Sequence, residues 1–117
     1  MKKYMAIYIG TSELMQKWNA LSEQEQKNKM RKGLDEWSIW SEANKASIVD
    51  DGHPLGSTKK IDSKGISDSQ NSICGYTIIE AESHESAAEL FLNHPHFAIF
   101  PGDSVEIMEC MPLPTLD

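Results

Sequence analysis

The sequence predicts an α+β fold, a ferredoxin-like antiparallel sheet with helices on one face, and three observations predict it. Lys3 to Ile9 and Ile73 to Glu82 alternate with the period of two that marks a strand, and Gly102 to Met111 supplies a further strand near the end. Helix signals fall between them. Ser22 followed three residues later by Glu25 forms a capping box, and Ser83 caps a second helix with Glu85 in its first turn. The resulting order is strand, helix, strand, hairpin, strand, helix, strand.

Each element has its own local reason. Met5, Ile7 and Ile9 of the first strand face one way and Tyr4, Ala6 and Tyr8 the other, and Gly10 closes the strand. TSELMQKWNAL forms a short helical turn with Ser12 as its cap. The long helix, Glu23 to Asn44, carries Met30, Leu34 and Trp37 on one stripe with Trp40 beside them. Gly33 weakens this helix by about 1 kcal/mol relative to Ala, a cost accepted if a backbone must approach it closely. SIVDDGHPLG is a short strand running into a loop punctuated by Gly52, Pro54 and Gly56. STKKIDSKGISDS is a polar, exposed hairpin turning at Ser63 to Gly65. Ala87, Ala88, Leu90 and Phe91 give the second helix its apolar face, Pro95 and Pro101 stop it, and the tail PLPTLD is expected to be extended.

A chain of 117 residues fits a single domain, 1–117, and one core suffices, since folding at that size buries roughly 65% of the extended chain's surface. The net charge of −7 argues against nucleic acid, which is held through clustered Lys and Arg. The one basic cluster, KNKMRK, lies in a helix that also carries acids and reads as a solvated face. Cys74 and Cys110 lack metal-box spacing and are expected as reduced, packed thiols. No apolar run reaches the length of a membrane span, so no membrane partner is expected and the cytoplasm is the expected location.

Two helices cover one face of the sheet, and the other face is then the informative one. Period-two reading assigns to it Tyr4, Ala6 and Tyr8, then Tyr76, Ile78 and Glu80, then Glu106, Met108 and Cys110. That is too much amphipathic surface to leave bare. A second copy related by a two-fold axis covers it most simply; alternatively the hairpin folds back onto it.

The pieces KYMAIYIG, LDEWSIW, DDGHPLG, GYTIIEAES leading into HESAAELFLNHPH, and SVEIMEC occur in that order from Lys3 to Met111. In this they resemble the YCII-related superfamily. The resemblance implies a dimeric α+β barrel. ISDSQNSICGY stands where the family's DGPF signature would fall, and the resemblance implies the fold and the homodimer without a reaction.

The candidate site residues are spread along the chain. His94 should point to the sheet and sit near a helix C-terminus, where it can donate to the last carbonyls; His96, freed by Pro95, could enter a pocket. Either is a candidate catalytic acid or base, since histidine titrates near neutrality. His-x-His could also serve a metal, but no second cluster completes a closed site, and neither metal nor cofactor is expected. Asp51 and His53 form a second polar cluster that also reads as plain turn chemistry. Trp37 and Trp40 are either core or the wall of an aromatic site. Glu80 and Glu106, if neighbours in a dimer cavity, would push one carboxylate of the pair toward the raised pKa that a general acid needs. Ligand contacts are thus expected from Tyr8, Trp40, Asp51, His53, Tyr76, Glu80 and Glu106. The sequence points to a small dimeric protein binding a small organic molecule; the alternative is an enzyme using His94 or His96 for proton transfer of isomerase or lactone type.

Overall fold

The structure is a computed structural model that describes residues 1–116. Nine residues of β1, Lys2–Gly10, lead through the short helix α1, Ser12–Asn19, to the long helix α2, Glu23–Ala43. Next come β2, Ile48–Asp50, a hairpin of β3, Thr58–Asp62, and β4, Gly65–Ser69, and the long strand β5, Ile73–Ala81. Helices α3, His84–Glu89, and α4, Pro95–Ala98, precede the last strand β6, Gly102–Glu109. The sheet order is β2-β5-β1-β6 with antiparallel pairing, so the two long strands are central and each helical crossover lands on an edge. This is the ferredoxin-like α+β arrangement.

Local chemistry sets the boundaries. Ser22 Oγ accepts from the Glu25 amide while the Glu25 carboxylate accepts from the Ser22 amide, so the capping box starts α2 as expected. Thr11, not Ser12, caps α1, because its hydroxyl accepts from the Leu14 amide. Pro95 does not stop a helix. The second helix ends at Glu89, Asn93 turns the chain with φ 58°, and His94 caps α4 with Pro95 in its first turn, where proline's missing N–H costs nothing.

Register decides which side of the sheet holds the core. Tyr4 pairs with Ile79, Ala6 with Thr77 and Tyr8 with Gly75, and all six are buried on the helix side with Ala87 and Phe91. The expected facing of β1 is therefore reversed: Tyr4, Ala6 and Tyr8 lie beneath the helices, and Met5, Ile7 and Ile9 take the open face. Tyr76, Ile78 and Glu80 join them from β5, and Glu106 and Met108 from β6, as alternation anticipated. The hairpin does not fold back to cover them, for Ile61 and Ile66 are 76% and 73% exposed. Cys74 and Cys110 are likewise exposed rather than packed.

Gly33 is the one buried residue of α2. A side chain there would overlap the ring of Phe100, so the close approach is made by an aromatic ring and not by a backbone. We expect Gly33→Val to lower stability by about 2 kcal/mol in chemical denaturation, because overpacking outweighs any gain in helix propensity.

Candidate functional site

A cavity of about 850 Å³ opens between α2 and the β2–β5 side of the sheet. Helical geometry builds its first wall, since Leu34, Trp37, Ser38 and Ser41 recur at the spacing that keeps one face. Tyr8 from β1 and Gly75 from β5 form the floor, and Phe100 with His96 closes the far side. Asp51, Gly52, His53 and Pro54 make the rim. An apolar lining with a few convergent polar groups is the usual furnishing of a small-molecule site.

The polar groups are oriented by specific bonds. Thr77 Oγ1 donates to the Asp51 carbonyl over 3.1 Å and so has no hydrogen left for Tyr8. The Tyr8 hydroxyl must therefore be the donor in its 2.7 Å bond to Thr77. Burial pushes the Tyr8 pKa up to about 12, which keeps the phenol neutral and leaves its oxygen able to accept. The rim loop is thus tied to the floor through two hydroxyls.

His96 Nε2 lies 2.8 Å from the carbonyl of Ile9. A carbonyl only accepts, so Nε2 carries the proton and Nδ1 the lone pair. Burial lowers the His96 pKa, against the opposing pull of the Ile9 and Ser104 backbone and the Asp103 charge, and the ring is a neutral base at neutral pH. His94 differs. It is fully buried, its Nδ1 accepts from the His96 amide, and its Nε2–H has no hydrogen-bond partner. Trp37 and Trp40 stand nearly perpendicular to it at 4.4 and 4.6 Å, so it is packed among rings behind the cavity wall. Burial first, and the neighbouring His96 second, press its pKa down to about 3.

The expected site residues divide accordingly. Tyr8, Asp51, His53 and His96 meet at the cavity, and Tyr76 borders it from β5, with its carbonyl against Gly52, although strand alternation puts it on the open-face side. Trp40 does not: its indole N–H donates to the Leu90 carbonyl over 2.7 Å, and Trp37, one turn earlier, forms the wall instead. Glu80 and Glu106 sit opposite Lys3 and Ile7 on the open face, where the dimer cavity was expected; β1 separates their strands, so they are not neighbours, and neither lines the cavity under α2. Asp51 and His53 are exposed, with no hydrogen bond between their side chains. Among the described residues, no group of three His, Cys, Asp or Glu side chains is placed to hold a metal. Ser38 and Ser41 were missed, although two serines one turn apart on the inner stripe of a helix are a signal of a lined space.

The fold has a solved counterpart. It matches the 5-chloro-2-hydroxyhydroquinone dehydrochlorinase of Burkholderia phenoliruptrix, determined in complex with 2,5-dihydroxybenzoquinone, with a TM-score of 0.53. The match covers 95% of this chain and 94% of that one at 17% identity, a level at which the likeness shows the fold alone. No family model and no curated protein matches the chain. Among the described residues, no helix is long and apolar enough to cross a membrane.

Proposed function

We propose that this chain is a homodimeric protein that binds a small, planar, oxygen-bearing organic molecule in the cavity between α2 and the sheet. The cavity itself carries the proposal: Tyr8, Trp37 and Phe100 offer ring surface, and the hydroxyls of Tyr8, Ser38 and Ser41 offer hydrogen bonds that water or ligand oxygen can meet. The counterpart's bound dihydroxybenzoquinone is of that chemical kind and supports the class. Isothermal calorimetry with 2,5-dihydroxybenzoquinone as probe should give saturable binding, weakened roughly tenfold or more in Trp37→Leu. No saturable heat into the millimolar range would remove the reading.

Surface arithmetic supports the dimer. A compact monomer of 13.1 kDa exposes about 6,400 Å² and has a radius of gyration near 13 Å. This chain exposes 8611 Å² with a radius of 16.5 Å. The excess, roughly 2,200 Å², is of the size one protomer buries in a large obligate interface. Met5, Ile7, Ile78 and Met108 on the open face supply a suitable surface. Light scattering should report twice 13.1 kDa.

A second reading rests on one further observation, the neutral His96 with its Nε2–H spent on Ile9. In it His96 Nδ1 takes a proton from a bound carbonyl compound, as in isomerase or lactone chemistry. A probe ligand should then exchange carbon-bound hydrogen for deuterium faster with the protein than in buffer, and His96→Asn should abolish the difference. Equal exchange with and without protein would leave the binding function alone.

A further inference from the structure

The hairpin is the part of the molecule that the site does not use. Its strands pair Lys59 with Asp68 and Ile61 with Ile66 on one face, and leave Thr58, Lys60, Ser67 and Ser69 on the other. One face is therefore polar. The other carries two isoleucines that are 76% and 73% exposed, beside an ion pair between Lys59 and Asp68. A two-stranded hairpin is marginal in water unless an apolar face is packed, and the rest of its own chain leaves this face open.

We infer that the β3–β4 hairpin is an arm that lies on a second copy of this chain, with Ile61 and Ile66 extending the sheet-to-sheet contact. The inference rests on the dimer proposed above. Three observations select a copy of this chain as the occupant. The surface excess is larger than a typical contact between two proteins needs, so it leaves area for the arm as well as for the open sheet face. The arm joins the edge strand β2 to its neighbour β5, so its root stands at one edge of the sheet that the contact would cover. Charge also fits: Lys59, Lys60 and Lys64 against Asp62 and Asp68 give the arm a net +1, whereas the whole chain carries −7. A copy's acidic body attracts the arm, and the Lys59–Asp68 pair cancels charge where isoleucine would be buried.

Both isoleucines are exposed in the protomer, so replacing them leaves its fold alone. Ile61→Ser with Ile66→Ser should raise the dimer dissociation constant roughly tenfold to a hundredfold in dilution light scattering. Hydrogen exchange should show the amides of 58–69 protected in the dimer and released on dilution below that constant. A wild-type particle of 13.1 kDa overturns the dimer and the arm's role with it. A wild-type dimer whose dissociation constant stays within about twofold in the double variant, or whose hairpin amides exchange freely, overturns the arm alone and leaves the sheet contact standing.

Discussion

Acidification from pH 6.5 to pH 3 should cost the folded chain between about 4 and 5 kcal/mol through His94 alone. The unfolded histidine takes up its proton near 6.5 and the folded one only near 3, so between those values the unfolded chain holds a proton that the folded chain refuses. The stabilisation is fully present above pH 6.5 and is lost as pH falls through the window, at about 1.4 kcal/mol per pH unit. Packing explains the refusal. A charged imidazolium enclosed by Trp37, Trp40, Phe91 and Tyr8 would find no water and no anion, and its Nε2–H already lacks a hydrogen-bond partner.

His94→Asn isolates the effect, since asparagine keeps a side-chain acceptor for the His96 amide and does not titrate. At pH 7 the variant should be less stable by about 2 to 3 kcal/mol, because ring contacts are lost. That gap should close near pH 4 as the wild type pays for its proton. Urea denaturation at several pH values measures both curves. A gap that stays constant from pH 7 to pH 4 would show that His94 does not titrate on unfolding.

The strands and the capping box were legible because each depends on neighbours in sequence. Period-two alternation marks β1 wherever it packs, and Ser22 finds Glu25 three residues away. Which side of β1 faces the helices was not legible, because both phases of KYMAIYI are apolar and alternation separates faces only when one is polar. The tyrosines misled for a physical reason: an amphipathic ring suits a wet cavity between subunits as well as a cavity under a helix. Trp37 and Trp40 show the same limit. One turn of helix puts both on the inner side, and only the position of the Leu90 carbonyl, fifty residues away, turns one into core and leaves the other as a wall. Pro95 was ambiguous in itself, since proline both ends helices and begins them, and the αL turn at Asn93 that decides the matter is not written in the local pattern.

Gly52→Ala should be among the most damaging single changes at the cavity. Gly52 has φ +74°, a conformation that costs a residue bearing a Cβ roughly 1 kcal/mol or more. The new Cβ would also overlap the Tyr76 carbonyl, whose carbon lies 2.6 Å away and whose strand is fixed by pairing on both sides. Neither partner is the free end of a side chain, so the relief available is for the rim loop to lift. Lifting withdraws the Asp51 carbonyl from Thr77, and the Thr77 hydroxyl then has no reason to keep its proton directed away from Tyr8. A lifted loop also removes Asp51 and His53 from the rim. Global stability is expected to fall by only about 2 to 3 kcal/mol, since local opening caps the strain. Probe binding should fall more steeply, roughly a hundredfold, because both rim and floor lose their geometry. Thermal denaturation and calorimetry on the same preparation separate the two effects. Unchanged affinity in Gly52→Ala would mean that a ligand does not touch the loop, and the cavity's polar end would have to be assigned to Ser38, Ser41 and His96 instead.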